Sequence, residues 1–107
     1  MNGDLSITVA WEGLPEYAAR SLQAAAERSA VRLTVVTTES GPTLPNSLWE
    51  SLTPIRIDAS APLRWSDLGV PLPDVFACTG WRNRAFRALA REARQRGTFV
   101  VSMVDNI

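Results

Sequence analysis

The chain has 107 residues, with 11 basic and 11 acidic side chains, which suits one domain with a substantial core and excludes any global electrostatic pull toward nucleic acid. Every basic residue is arginine and there is neither lysine nor histidine, so Schiff-base lysines, phosphate-loop lysines, histidine general bases and histidine metal ligands are excluded together. Cys78 is the single cysteine. It lies in an apolar run and reads as a small core residue in a chain suited to a reducing cytoplasm, while the polar opening Met1, Asn2, Gly3, Asp4 lacks the basic region of a signal peptide and no apolar run is long enough to span a bilayer.

In chain order, residues 5–10 are apolar and β-branched and predict a first strand, stopped by Trp11, Glu12 and Gly13. Pro15 and Glu16 suit the first turn of a helix, where proline's missing amide proton costs nothing and a carboxylate faces the positive end of the dipole. Ala18, Leu22, Ala25 and Ser29 recur at helical spacing and predict a small-residue stripe packed on a sheet. Residues 31–37 are nearly continuous in apolar and β-branched side chains, as a parallel strand covered on both faces should be. Residues 41–45 form a loop, and Asn46 or Ser47 is placed to cap a short helix through Leu52. Residues 54–58 predict a third strand, near the sheet edge because Pro54 begins it. The proline-rich connection 59–73 leaves space for one or two helical turns around residues 63–69. Residues 75–78 predict the fourth strand. The following helix sets Phe86, Leu89 and Ala93 on one stripe and Arg84, Arg87, Arg91 and Arg94 on another, and stops at Gly97. Residues 99–104 predict the fifth strand.

This alternation specifies one α/β domain over residues 1–107, with a Rossmann-like, doubly wound parallel sheet of about five strands. Right-handed crossovers favour the order 3-2-1-4-5, in which the first and fourth strands are neighbours. In open parallel sheets ligands bind beyond the carboxyl ends of the strands where the winding reverses. Here that point falls between Trp11, Glu12, Gly13 and Thr79, Gly80, Trp81. Glycine admits a close backbone approach, and indole offers a flat apolar face with one N–H donor, a pairing suited to sugar rings. Equally, both tryptophans can plug the sheet ends. Glu12 is either a group that positions a ligand hydroxyl or a solvated turn carboxylate. Asp105 and Asn106, after the fifth strand, either share that rim or start a turn. The arginine stripe has two readings as well: a contact for an anionic membrane or phosphate-bearing partner, or the solvated face that most helices present.

The segments Leu14-Pro15-Glu16-Tyr17-Ala18-Ala19-Arg20, Trp65-Ser66-Asp67-Leu68-Gly69-Val70-Pro71-Leu72-Pro73, Thr79-Gly80-Trp81 and Ser102-Met103-Val104-Asp105-Asn106 occur in that order. Together they resemble the amino-terminal domain of bacterial family 4 glycosyltransferases. The resemblance covers almost the whole chain and implies half of a two-domain GT-B enzyme that transfers sugar from a nucleotide-activated donor with retention, without a metal or other cofactor. It implies that this half holds a sugar or lipid-linked acceptor, with Trp11, Glu12, Gly13, Thr79, Gly80, Trp81, Asp105 and Asn106 as the acceptor-side residues. The paired glutamates and the nucleotide-sugar site belong to the family's other domain, which is expected from further sequence or another chain. Trp11-Glu12-Gly13 departs from the Gly-Gly first loop of many relatives and leaves the acceptor undefined.

A phosphoacceptor receiver domain is excluded by the lone Glu12 and the absence of lysine. A flavodoxin-like module is excluded because Trp11-Glu12-Gly13-Leu14-Pro15 is no phosphate cradle. The rival reading is a non-catalytic Rossmann-like binding or assembly module. On either reading, an uncovered sheet face beside the fifth strand predicts a homodimer there.

Overall fold

The computed structural model describes residues 5–28, 30–38, 44–79 and 83–103. The elements follow the order β1 (Leu5–Trp11), α1 (Glu16–Arg28), β2 (Val31–Thr38), α2 (Asn46–Leu52), β3 (Ile55–Ile57), α3 (Trp65–Leu68), β4 (Val75–Cys78), α4 (Arg84–Gln95) and β5 (Phe99–Ser102). The five strands form one all-parallel sheet in the order β3-β2-β1-β4-β5. This is the Rossmann-like, doubly wound arrangement expected from the alternation of elements.

Register sets what each face can bury. Leu5 pairs with Val31 and Trp11 with Thr37 along β1 and β2, while Ile7 pairs with Val75 and Ala10 with Cys78 across β1 and β4. Because side chains alternate along a strand, Ala10, Val36, Ile57, Phe76 and Cys78 point to one face. There they meet Trp65 of α3 and Ala85, Phe86, Leu89 and Ala93 of α4. Val35 points to the other face and meets Leu14, Ala18, Ala19, Leu44, Leu48 and Leu52 around α1 and α2.

α3 is short, yet it anchors the first of these faces. Its Trp65 ring is 1% exposed, crosses Phe76 edge-on at 5.0 Å, and donates from Nε1 to the Leu89 carbonyl at 2.8 Å. The Trp65 backbone N–H donates to Glu92 Oε1 at 2.9 Å, so the helix start is tied to α4 as well. α4 ends as the sequence predicts: Gly97 takes φ +94, which suits glycine because a side chain is strained there, and Thr98 N–H turns back to the Ala93 carbonyl at 2.9 Å.

Several boundaries and faces differ from the sequence reading. β1 runs on through Trp11 because β2 still offers Thr37 as its partner. β3 is only Ile55–Ile57 and does lie at the sheet edge. β5 ends at Ser102, and Val104 lies outside the described residues. The sheet-facing side of α1 is Ala18 and Ala19, with Leu22 half-buried, whereas Ala25 is exposed; Ser29 lies outside the described residues. Neither Asn46 nor Ser47 caps α2. Pro45 holds the N-cap position with no side-chain bond, and its carbonyl accepts from Trp49 N–H at 3.0 Å.

Candidate functional site

The winding reverses at β1, between β2 and β4, so the crevice beyond the carboxyl ends of β1 and β4 is the place where this fold offers a ligand site. Its near wall is the turn after β1. Three backbone amides follow one another there, and each ends on a threonine hydroxyl. Glu12 N–H donates to Thr79 Oγ1 at 3.1 Å, Gly13 N–H to Thr38 Oγ1 at 3.0 Å, and Leu14 N–H to Thr37 Oγ1 at 3.2 Å. The Thr37 hydroxyl in turn donates to the Trp11 carbonyl at 2.9 Å. Gly13 sits at φ +59, in the left-handed region, which lets the turn close under this grip.

This pattern has a chemical consequence. Consecutive free amides at the first turn are what a phosphate-binding loop uses, and here all three are consumed within the protein. The turn is therefore a poor anion cradle.

What it presents instead is Glu12. Its side chain is exposed, and its Oε2 accepts from Asn83 Nδ2 at 3.1 Å. Asn83 is 5% exposed and caps α4, with Oδ1 accepting from Phe86 N–H at 3.1 Å. One buried amide thus joins the first turn to the fourth helix and orients a rim carboxylate, which can accept hydrogen bonds from ligand hydroxyls.

Trp11 is half-buried, packs against the α1–α2 core, and meets Tyr17 edge-on at 6.3 Å. Much of its area serves packing, and the exposed ring of Tyr17 extends the same aromatic surface outward. Thr79 is buried, and its N–H bonds the Ala10 carbonyl at 2.9 Å, holding the end of β4 against β1. Trp11, Glu12, Gly13 and Thr79 are therefore brought together. Gly80, Trp81, Asp105 and Asn106 lie outside the described residues.

Sequence reasoning missed Thr37, Thr38 and Asn83. The threonines read as β-formers, although two hydroxyl residues at the carboxyl end of a central strand are a usable signal. Asn83 was legible only as one of several polar residues before a helix.

Cys78 is buried and its thiol is pushed up by burial, a shift that the nearby charge of Arg94 opposes. The thiol stays protonated and unreactive at neutral pH. Among the described residues no group of three or more His, Cys, Asp or Glu could hold a metal ion, and no helix is long and apolar enough to cross a membrane. Comparison with protein-family models, curated proteins and solved structures finds no match. The class defined is that of the fold, a Rossmann-like α/β domain with a rim carboxylate at its switch point.

Proposed function

We propose that this domain is the acceptor-binding half of a cytoplasmic, retaining, GT-B-type glycosyltransferase, holding a hydroxyl-rich acceptor in the crevice between β1 and β4. A nucleotide-sugar-binding domain, in other residues of the same protein or in another chain, completes the reaction. The observation that carries this reading is the state of the first turn: its amides are taken by Thr37, Thr38 and Thr79, while Glu12 is exposed and steadied by Asn83. Such a rim favours neutral hydroxyls over phosphate. The groups that stabilise a departing nucleotide diphosphate belong to the completing domain, so the chain alone should turn over no nucleotide sugar.

The test is a titration of the 15N-labelled chain with simple methyl glycosides and, separately, with nucleotide sugars. Glycosides should move the amides of Glu12, Gly13 and Thr79, and Glu12→Gln should weaken that response. Shifts there from nucleotide sugars but not glycosides, or turnover of a nucleotide sugar by this chain alone, would refute the reading.

A second reading, a non-catalytic assembly module, is favoured by the apolar residues Phe99 and Val101, which stand exposed on β5. It predicts no response to any sugar together with a partner bound on that face.

A further inference from the structure

α4 carries Arg84, Arg87, Arg91 and Arg94, all exposed. Among the described residues the ion pairs are Arg20 with Glu16 and Arg96 with Glu92. None of the four stripe arginines has a carboxylate partner there. The acid next to Arg91, Glu92, is already engaged: Oε1 accepts from Trp65 N–H and Oε2 from Arg96, each at 2.9 Å. Like charges at positions i and i+4, such as Arg87 and Arg91, destabilise a helix. An anion would relieve that repulsion.

Three of these arginines surround a concavity. Arg87, Arg91 and Arg94 wall a groove of about 350 Å³ between α4 and β5, with Cys78, Phe86 and Ala90 in its lining. Arg91 also lines the two neighbouring clefts on α4, of about 460 and 260 Å³. The groove falls at the small end of the range for ligand sites, roughly 300–1,000 Å³. Among the described residues its lining carries no negative charge: none of them is an acid, and the Cys78 thiol is protonated. Ser102, at the end of β5, adds a hydroxyl donor.

We infer that this groove binds the phosphate group of a soluble phosphorylated ligand, with Arg91 as its central contact and Arg87 and Arg94 on either side. Planar guanidinium forks match phosphate oxygens in pairs. A lipid surface fits less well. Among the described residues the large exposed apolar ones are Leu5, Tyr17, Phe99 and Val101, and none of these lies on α4 to enter a bilayer. The site is separate from the crevice at β1, and it stands whether or not that crevice takes a sugar.

The experiment titrates the 15N-labelled chain with inorganic pyrophosphate at constant ionic strength, read at the amides of α4 and Ser102, beside co-sedimentation with phosphatidylglycerol vesicles. A saturable response is expected. Arg91→Gln should weaken it about tenfold, as loss of a paired charge-assisted contact does. Arg84→Gln, outside the groove, should weaken it by less than about twofold, as a distant exposed charge does. Both side chains are exposed, and matching thermal melts will verify that both variants fold. Vesicle binding that pyrophosphate displaces also supports the groove. Responses that never saturate, equal losses in the two variants, or vesicle binding without any response to pyrophosphate would overturn the inference, the last assigning the stripe to a lipid surface.

Discussion

The two faces of the sheet are finished differently at β4 and β5. On the α4 side, Phe76, Phe86 and Leu89 are fully buried and Trp65 closes the layer. On the α1 side, Phe99 is 68% and Val101 36% exposed, and Leu5 at the start of β1 is 44% exposed. Pairing of Val75 with Phe99 and of Ala77 with Val101 makes these residues one continuous apolar strip, since neighbours across a ladder share a face. The contrast follows from winding. α1 and α2 cover β1 and β2 on one face, and α3 and α4 cover the other. A strand's hydrophobic pattern therefore states what it is able to bury, while the path of the connections decides what is buried.

The sharpest way to break this contrast is to truncate one aromatic from each face. Trp65→Ala should cost about 3–5 kcal/mol, the usual range for deleting a large buried aromatic, and it also removes the indole bond to the Leu89 carbonyl. Phe99→Ser, on the open face, should stay within about 0.5 kcal/mol of the parent. Urea unfolding of the two variants measures both. Equal losses would mean that the β5 face is covered in solution.

That possibility has its own measurement. If the open strip meets a second copy, as the homodimer expected at the fifth strand requires, light scattering across a dilution series should show a dimer that dissociates on dilution, and Phe99→Ser should shift it to monomer. A parent chain that stays monomeric at high concentration would leave the strip without a self-partner.

The next effect concerns the junction between the two halves of the sheet. Asn83→Ala removes the α4 cap and should cost about 1 kcal/mol. It also frees Glu12, so the Glu12 side-chain resonances should move. Asn83→Asp keeps the cap but sets a second carboxylate against Glu12, and should recover helix stability without recovering the Glu12 contact.

The smallest effect is a pH dependence on the well-packed face. The hydrogen bond from Trp65 N–H, assisted by Arg96, holds the Glu92 carboxyl below the usual carboxylate range. A carboxylate with a depressed folded value contributes stability above its unfolded value and loses it as pH falls through the folded one. Glu92→Gln keeps an acceptor for Trp65 but removes the charge. The parent should therefore exceed the variant at neutral pH, with the difference shrinking as pH falls through the folded carboxyl's titration. A difference that is constant across that range would assign the contact to packing alone.

Much of the architecture was legible because its signals are local. The continuous apolar run of β2 and the two stripes of α4 each announce an element from adjacent residues. Trp65 was not legible in that way. It stands in a proline-rich connection where one or two helical turns are expected, but its value comes from Phe76 and Leu89, which only the fold brings near. The site divides along the same line. Trp11, Glu12 and Gly13 follow a predicted strand at a predicted switch point, so their neighbourhood with Thr79 could be read ahead. The grip of Thr37 and Thr38 and the bridge from Asn83 to Glu12, across 71 residues of sequence, depend on register and on helix placement, which no local pattern encodes. Ala25 shows the reverse error. Its spacing fits the buried stripe, but the axial rotation of α1 favours Ala18 and Ala19.

The strand order also sets a schedule for synthesis. Of the five strands, β1 leaves the ribosome first and lies at the centre of the finished sheet, hydrogen-bonded to β2 on one side and β4 on the other. β2 arrives soon after, but α2, β3 and α3 must all emerge before β4. At roughly 5–20 residues per second that interval is on the order of seconds. Throughout it one edge of β1, carrying Ile7 and Val9, is an unsatisfied template for any other extended chain. Nascent chains of this fold are thus most open to mispairing at the strand that ends up best protected, and slowing translation ahead of Val75 should increase aggregation more than slowing it after Cys78.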